Sequence, residues 1–232
     1  MSEGFQFKQF YVRHDRCAMK VGTDGVLLGA LADGGSNILD IGTGSGLCAM
    51  MMAQRFPEAH ITGIDIDSEA CQQATENARA FSGEIEIRHT SLEDFADTIG
   101  DTFDAIISNP PYFEETTGCP DSQRDKARHA SSLPYSTMLC CSKKLLSDDG
   151  TITIIIPTSA VGRIEHECAY LGLFIVRRIN IKPTPKKPEK RTLLYIKKRN
   201  EGNNGCSVET QTLNTEGQRS AWYAEITKDF YL

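Results

Sequence analysis

Short apolar runs alternate along the chain with longer stretches in which apolar residues recur every three or four positions. The first kind of run is typical of a buried strand, and the second is typical of a helix with one buried face. The pattern predicts strands over 37–42, 60–65, 84–89, 103–108 and 151–156, and helices over 46–56, 68–81, 135–146 and 159–171. Strands that alternate with helices at this spacing form βαβ units, so we predict an α/β fold with a doubly wound, mostly parallel sheet.

The last third of the chain follows a different pattern. Two strand-like runs, 174–181 and 192–198, are separated by a proline-rich stretch, and the aromatic end at 222–232 predicts a short helix that docks by its rings. Ser68 and the pair Thr23-Asp24 are predicted helix caps, because their short side chains accept hydrogen bonds from backbone N–H groups. We expect a single domain over residues 1–232, divided into an amino-terminal segment (1–36), a core (37–200) and a carboxy-terminal docking segment (201–232).

The composition is that of an ordinary folded protein, with 40 % hydrophobic and 24 % charged residues. No apolar run approaches the roughly 20 residues that cross a bilayer, and the start lacks the pattern of a secretory signal. We therefore expect a cytoplasmic location and no membrane partner. The eight cysteines form no Cys-x-x-Cys pair, so we expect reduced core residues and no metal site.

The net charge of −6 conceals a basic segment. Residues 177–199 contain ten of the 25 lysines and arginines but only one acidic residue, Glu189. A polyanion binds such a local patch, whatever the average charge of the chain. Lysines that protect the edge of a sheet produce the same pattern, and composition alone leaves both interpretations open.

A glycine-rich sequence, Asp40-Ile-Gly42-Thr-Gly44-Ser-Gly46, lies between the first core strand and its helix. Glycines permit the sharp turn and let a ligand approach the main-chain N–H groups. Asp65 ends the next strand, where an acid can accept hydrogen bonds from ribose hydroxyls. A dinucleotide fingerprint needs glycine where Leu47 stands, and a carboxylate at Asp40 would repel a pyrophosphate but attract an ammonium group. The loop therefore predicts a nucleoside cofactor that carries an amino-acid moiety.

The tetrapeptide Asn109-Pro110-Pro111-Tyr112 follows the fourth core strand, at the sheet edge where α/β proteins bind ligands. The Asn109 side-chain oxygen and the Pro110 carbonyl can each accept one N–H of an exocyclic amine and so direct its lone pair at a methyl donor. The two prolines stiffen the loop, and Tyr112 offers a ring on which an extruded base can stack. Asn-Pro is also a common turn, but four specified residues at this place favour amine methylation.

The glycine-rich loop resembles motif I of class I S-adenosylmethionine methyltransferases. The resemblance implies that Asp40 interacts with the methionine end of the cofactor, that Asp65 holds its ribose, and that Ser91, Leu92 and Glu93 lie at its adenine. The implied cofactor-binding residues are Lys20, Thr23, Asp40, Gly42, Gly44, Gly46, Asp65, Ser91, Leu92 and Asn109.

A narrower resemblance rests on the segment 19–30, on the tetrapeptide, on Arg128-His129, on the Lys-Pro-x-Lys-Arg run at 187–191 and on the terminal Asp229-Phe-Tyr-Leu. Together these closely resemble the bacterial tRNA1(Val) adenine-37 N6-methyltransferases, over residues from about 5 to 232. The family implies a seven-stranded Rossmann-like sheet with a reversed last hairpin, an adenine beside the anticodon as substrate, and a segment at 19–26 that closes over the cofactor.

With that resemblance, the basic run and the residues after the tetrapeptide become candidate RNA contacts. The implied RNA-binding residues are Arg128, His129, Lys186, Lys187, Lys190 and Arg191, with Arg124 and Lys126 beside them, and the catalytic residues are Asn109, Pro110, Pro111 and Tyr112. Ordinary roles are expected for His14 and His166, and we favour a monomer.

Three alternatives stay open. Glutamine-amide methyltransferases acting on proteins share the tetrapeptide, but they carry a large amino-terminal helical domain, and only about 36 residues precede the first core strand here. A guanine-N2 enzyme or a DNA adenine enzyme would use the same chemistry, although a DNA enzyme usually needs an added recognition domain. A binding protein without catalysis would be expected to show a degenerate loop or to lack Asn109.

Overall fold

The strands predicted for the core form one sheet in the computed structural model of the protein, which describes residues 3–17, 19–81, 84–111, 133–200 and 205–232. The strands in chain order are β1 (Gly4–Gln6), β2 (Tyr11–Arg13), β3 (Asn37–Ile41), β4 (His60–Asp65), β5 (Ile85–His89), β6 (Phe103–Ser108), β7 (Leu146–Pro157), β8 (Phe174–Lys182), β9 (Arg191–Lys197), β10 (Ser207–Thr212), β11 (Asn214–Thr215) and β12 (Gln218–Arg219). The central sheet has the order β10-β8-β9-β7-β6-β3-β4-β5, and β9 runs antiparallel to both of its neighbours. The prediction of a doubly wound, mostly parallel sheet with a reversed hairpin is confirmed.

Helices cover both faces of this sheet, as the alternation of strand and helix patterns predicted. The described helices are α1 (Thr23–Leu31), α2 (Leu47–Arg55), α3 (Ser68–Arg79), α4 (Leu92–Thr98), α5 (Tyr135–Leu145), α6 (Val161–Leu171) and α7 (Ala221–Thr227). Successive residues of β6 serve opposite faces: Ile106 packs with α4, α5 and α6, whereas Ala105 and Ile107 pack with α1 and α2. This two-sided burial explains why Ala105, Ile106 and Ile107 are apolar at successive positions of β6.

Local details at three helix starts differ from the sequence predictions. Asp67, and not Ser68, caps α3, because its side chain accepts hydrogen bonds from the N–H groups of Glu69 at 2.9 Å and Ala70 at 3.3 Å. The cap position of α1 is Gly22, which makes no side-chain cap bond, so the predicted Thr23-Asp24 cap is wrong. The helix predicted from Ser159 begins as a 3-10 turn, Thr158–Ala160, before α6.

The central sheet has eight strands, one more than the family resemblance implied. The additional strand is β10, which extends the sheet beyond β8 in parallel register from Ser207 opposite Arg177 to Thr212 opposite Lys182. Its sequence is mostly polar, so no hydrophobic pattern marks it as a strand. An ion pair between Arg177 and Glu209, at 2.7 Å, joins it to β8.

The two ends of the chain pack against each other through aromatic rings, which confirms the predicted docking of the carboxy-terminal residues. The ring of Tyr231 stacks on Phe7 with centroids 5.8 Å apart, and Phe230 is buried. The backbone N–H of Lys8 also donates to the Phe230 carbonyl at 2.8 Å. Residues from both predicted terminal segments therefore belong to one apolar cluster with α1 and α2.

Cysteine placement agrees only partly with the prediction. Cys48, Cys71 and Cys168 are buried as expected, but Cys140 and Cys206 are exposed, and all seven cysteines of the described residues are free thiols. None of the helices in the described parts of the chain combines the length and the apolar character that a membrane crossing requires.

Candidate active site

The glycine-rich loop and the Asn-Pro-Pro sequence start from adjacent strands. β3 ends at Ile41 and β6 at Ser108, and these two residues face each other in the parallel register. The Ser108 hydroxyl donates to the Ile41 carbonyl at 2.9 Å, which joins the two strand ends directly. We call the edge at which β3 to β7 end the carboxyl edge, and we call residues 40–46 the glycine loop. The loop and Asn109 therefore begin side by side at the carboxyl edge.

The glycine loop is built on left-handed backbone positions. Gly42, Gly44 and Gly46 have φ angles of 69°, 54° and 78°, a region that side chains disfavour. The N–H groups of Gly42 and Thr43 both donate to the Ile64 carbonyl, at 2.9 and 3.0 Å. These bonds hold the loop against the end of β4, so its shape depends on the neighbouring strand as well as on its own glycines.

The free side of the loop can accommodate a nucleoside cofactor. Apart from its chain neighbours, a Cβ atom placed on Gly42 would meet no atom of the described residues within 4 Å, and one placed on Gly44 would reach only the Gly42 carbonyl oxygen among them, at 4.0 Å. Backbone with open space beside it is what a close ligand approach requires, so the residues present fit the cofactor that the sequence predicted.

Asp40, the first residue of the glycine loop, lies near the end of β3 and is almost completely buried. One of its carboxylate oxygens accepts hydrogen bonds from the Thr43 hydroxyl at 2.7 Å and from the Ala49 N–H, in the first turn of α2, at 3.2 Å. Burial raises the pKa of Asp40 to about 7, even though both hydrogen bonds favour the charged form. The structure thus shows Asp40 as an anchor of the loop, and its contact with the methionine end of a cofactor stays a prediction.

This environment makes the stability of the cofactor-free protein depend on pH in a defined direction. The folded-state pKa of about 7 lies above the ordinary value of 3.8, so folding favours the protonated form. The associated stability is present below pH 4 and is lost as pH rises through about 7. We expect wild type to lose more thermal stability than Asp40→Asn between pH 5 and pH 8, measured by melting temperature. Parallel melting profiles for the two proteins would contradict this assignment.

Asp65 is engaged with the protein itself. One carboxylate oxygen accepts from the Gly44 N–H at 2.9 Å, and the other accepts from the Asp67 N–H at 3.0 Å. Ser91 caps α4, since its hydroxyl accepts from the Asp94 N–H at 3.0 Å. Leu92 is buried in the core cluster that includes Ile64. These residues line the ends of β4 and β5 beside the glycine loop, and their cofactor contacts stay predictions.

The described part of the tetrapeptide passes from half-buried to exposed. Asn109 is half-buried, Pro110 is buried and Pro111 is exposed. The remaining predicted residues of this region lie outside the described residues: Tyr112, Arg124, Lys126, Arg128 and His129.

The amino-terminal residues predicted to close over the cofactor lie next to α1. Lys20 and Thr23 are exposed, and Thr23 is the first residue of the helix. Val26, Leu27 and Leu28 are completely buried, so α1 is a core element. Asp24, in the first turn, forms an ion pair of 2.7 Å with Arg191 at the start of β9. This pair brings the start of α1 to the carboxyl edge.

The residues between β8 and β9 also lie at the carboxyl edge. Arg191 faces Pro157, the last residue of β7, and Lys182 ends β8 beside it. We call residues 183–190 the basic connector; its three lysines, Lys186, Lys187 and Lys190, are exposed. The reversal of the hairpin thus places these lysines on the same edge as Asn109.

The remaining charges of the basic run are dispersed and largely paired. Ion pairs join Arg177 to Glu209, Arg178 to Glu165, Arg191 to Asp24, and both Lys198 and Arg199 to Asp148. Because β9 runs away from the carboxyl edge, the last two of these lie at the opposite edge, near the start of β7. The local charge counted from the sequence is therefore not one continuous patch.

Sequence reasoning missed two residues near the glycine loop. Gln73 and Asn77 on α3 are buried polar side chains, and Asn77 donates to the Ser45 carbonyl at 2.8 Å. A signal was present in the sequence, because both amides interrupt the alanine-rich face formed by Ala70, Ala74 and Ala78. Buried amides at such positions need partners, which the sequence alone does not identify.

Comparison with known proteins agrees with this geometry. A family model described as methyltransferase small domain matches residues 19–161. A protein of Bacteroides thetaiotaomicron is 44 % identical, with 98 % of this chain and 97 % of the relative covered, and one of Mannheimia succiniciproducens is 42 % identical, with 100 % and 95 % covered. Both are named tRNA1(Val) (adenine(37)-N6)-methyltransferase.

A solved structure supports the fold independently. The crystal structure of a predicted O-methyltransferase from Agrobacterium tumefaciens matches with a TM-score of 0.68 at 19 % identity, covering 89 % of this chain and 96 % of the other. Because the identity is this low, the match concerns the fold alone. Fold, site geometry and near-full-length similarity agree, and the chain belongs to the tRNA1(Val) (adenine(37)-N6)-methyltransferase family of enzymes, within the methyltransferase small domain family.

Proposed function

We propose that this enzyme transfers the methyl group of S-adenosylmethionine to the exocyclic N6 amine of adenine 37 in the anticodon loop of tRNA1(Val). The observation that carries the proposal is the start of Asn109-Pro110 beside the glycine loop, from strands joined by the bond between Ser108 and Ile41. The names of the full-length relatives supply the identity of the RNA and of the base.

The cofactor would be held along the carboxyl edge by residues from three strand ends. Asp40 would attract the ammonium group of the cofactor, and Asp65 would accept hydrogen bonds from its ribose hydroxyls. Ser91 and Leu92 would lie at its adenine. The glycines of the loop keep the backbone accessible to it. S-adenosylmethionine, when bound, supplies an electrophilic methyl group on a sulfonium sulfur. The predicted closing segment, residues 19–26, would act through its exposed residues Lys20 and Thr23, because Val26 at its end is buried in the core.

Asn109 and Pro110 would orient the amine that receives the methyl group. An amine conjugated to a purine ring is nearly planar and a weak nucleophile. Two acceptors, the Asn109 side-chain oxygen and the Pro110 carbonyl, would each take one N–H, draw the nitrogen from planar towards tetrahedral geometry, and so direct its lone pair at the methyl donor. The new N–C bond would replace the S–C bond of the cofactor, and the amine would release one N–H proton to solvent. Pro111 and Tyr112 would stiffen the loop and stack the extruded base.

The RNA would be held by charges that the fold brings to the same edge. Lys186, Lys187 and Lys190 are exposed there, whereas Arg191 already pairs with Asp24. Arg128 and His129, outside the described residues, are proposed to contact the same RNA. We further propose that the enzyme acts as a cytoplasmic monomer without a bound metal ion, and that residues 1–36, 37–200 and 201–232 act as closing segment, core and docking segment of one domain.

Removing the connector charges should weaken RNA binding in a salt-dependent way. For Lys186→Ala/Lys187→Ala/Lys190→Ala we expect the slope of log affinity for tRNA against log salt to fall by about 3, roughly 1 for each lysine that no longer neutralises a phosphate. The matched control is Arg199→Ala, a basic residue of the same run that pairs with Asp148 at the opposite edge. Titrations at several salt concentrations measure both slopes. An unchanged slope in the triple variant would mean that the three lysines do not contact RNA phosphates and only protect the edge of the sheet.

Methyl transfer itself tests the proposed function. Labelled S-adenosylmethionine is incubated with the enzyme and unmodified tRNA1(Val), and the product is digested to nucleosides. We expect N6-methyladenosine from this tRNA and none from a transcript in which adenine 37 is replaced by guanine. Cofactor binding without any methylated nucleoside would overturn the RNA substrate and direct the search to an amide of a protein.

A further inference from the structure

Two amide side chains of α3 are buried beneath the amino-terminal segment. Gln73 has no exposed surface and Asn77 is 4 % exposed, and the two lie one helical turn apart on the same face. A buried amide is costly unless its donors and acceptor are all bonded. Their partners therefore show what these side chains are built to hold.

Asn77 joins the amino-terminal segment to the glycine loop. Its Oδ1 accepts from the Arg13 N–H at 3.1 Å, and its Nδ2 donates to the Arg13 carbonyl at 2.9 Å and to the Ser45 carbonyl at 2.8 Å. Both amide hydrogens and the acceptor oxygen are thus used. The side chain pairs with Arg13 as a neighbouring strand would, and its remaining hydrogen reaches the loop.

The bond to Ser45 fixes one peptide group of the glycine loop at both ends. The carbonyl of this peptide belongs to Ser45 and accepts from Asn77, while its N–H belongs to Gly46 and donates to the Thr43 carbonyl at 2.9 Å. Gly46 has a φ of 78°. Because glycine adopts positive and negative φ about equally well, this peptide needs such bonds to keep a single orientation. Asn77 therefore sets the orientation of the last peptide before α2.

Gln73 holds the next residues of the same segment. Its Oε1 accepts from the Arg16 N–H at 3.2 Å and from the Cys17 thiol at 3.0 Å, and its Nε2 donates to the Asp15 carboxylate at 2.7 Å. His14 continues the linkage, because its Nδ1 accepts from the Val21 N–H at 3.2 Å. The positions of the residues just before α1 thus depend on the amides of α3.

We propose that Asn77 and Gln73 are positioning residues for the cofactor, which hold the glycine loop and the segment before α1 at a fixed distance from each other. The inference rests on the proposed cofactor site. The glycine loop and residues 13–17 belong to distant parts of the chain. Asn77 on α3 forms hydrogen bonds to both of them. Without these amides the glycine loop and residues 13–17 lose the bonds that fix their separation, and the site loses its preformed shape.

Asn77→Asp is the sharpest test, because it keeps the size of the side chain and replaces the NH2 group, which donates to two carbonyl oxygens, by an oxygen that can only accept. We expect the Kd for S-adenosylmethionine, measured by calorimetry, to rise about tenfold or more. We expect KM for the cofactor to rise with it, while kcat at saturation stays within about threefold and KM for tRNA is unchanged. A residue that only stabilises the fold would lower the melting temperature without moving the Kd.

The matched control is Asp104→Ala, at the opposite edge of the sheet. Asp104 accepts from the N–H groups of Ser36 and Asn37 at 2.9 and 3.1 Å, so its removal also breaks side-chain bonds to the main chain. We expect a lower melting temperature and an unchanged Kd for the cofactor. An equal rise in Kd for this variant and for Asn77→Asp would overturn the inference.

A second pair of variants reverses the donor and the acceptor in the Gln73–Asp15 hydrogen bond. These variants test Gln73, and they keep the inference testable if Asn77→Asp does not fold. Gln73→Glu places a carboxylate against Asp15 and should raise the Kd, whereas Gln73→Glu/Asp15→Asn restores a donor and should bring it back towards wild type. An unaltered Kd in Gln73→Glu, or the absence of rescue, argues against the positioning role. If wild type itself binds no S-adenosylmethionine, the proposed function fails first, and that result is seen before any variant is compared.

Discussion

Replacing Asn109 with alanine is expected to lower kcat by at least about 100-fold, while affinity for S-adenosylmethionine stays within about threefold of wild type. The side chain stands half-buried at the end of β6, next to the strand that carries the glycine loop. On the proposed mechanism, the change removes one of the two acceptors that would orient the amine, so the amine would keep its planar geometry. Single-turnover methyl transfer to tRNA, with cofactor saturating, measures the rate of the chemical step.

Two further variants sharpen this experiment. Asn109→Asp keeps an acceptor oxygen at the same place and should retain more activity than the alanine variant. Asn37→Ala changes an exposed asparagine at the other end of β3 and should leave the rate unaltered. A rate for Asn109→Ala within a few fold of wild type would remove the side chain from the mechanism.

The second large effect is expected for Gly46→Val. Gly46 has a φ of 78°, and a Cβ atom there would lie 3.3 Å from the Cβ of Ala74 on α3. A branched side chain is strained at such an angle and would also press against the neighbouring helix, so we expect the free energy of unfolding to fall by about 2–3 kcal/mol. Because the glycine loop must shift to relieve the contact, cofactor affinity should fall at least about tenfold.

Gly162→Val provides the matched control. Gly162 lies in α6, where an added Cβ would meet no atom of the described residues within 4 Å apart from the backbone of its own helix and its chain neighbours, and its φ is outside the left-handed region. Valine has a somewhat better helix propensity than glycine, so the free energy of unfolding should change by less than about 0.5 kcal/mol. Chemical denaturation and calorimetry with S-adenosylmethionine distinguish the two variants. If Gly46→Val binds the cofactor as wild type does, the glycine loop is not the binding site.

Several features of the fold could be read directly from the sequence because they depend on local patterns. The runs 60–65 and 103–108 were predicted as strands, and β4 and β6 have these bounds. Both are short segments whose central residues are buried on both faces of the sheet, which is typical of a strand in the middle of an α/β fold. The glycine-rich loop and the tetrapeptide were located by the same logic, since each follows a strand whose end is marked by glycine or proline.

The sequence predictions failed at polar positions, where no hydrophobic pattern distinguishes one candidate from its neighbour. Ser68 was expected to cap α3, but Asp67 stands one position earlier and accepts both N–H groups. The strand β10 carries no apolar alternation, and it pairs with β8 at an edge left open by the hairpin, where the Arg177–Glu209 ion pair also joins the two strands. Propensity gives no guidance when the competing choices are all polar.

The sequence by itself determined the α/β alternation, the glycine loop with Asp40 and Asp65, and the place of the Asn109 tetrapeptide directly after a core strand. The tertiary structure alone decided which of these lie together and what supports them. It brought the basic connector to the carboxyl edge, paired Arg191 with Asp24 across 167 residues of sequence, and linked Asn77 to both Arg13 and Ser45. Periodicity reports which face of an element is buried, but the partner of a buried polar group is chosen by packing between distant elements.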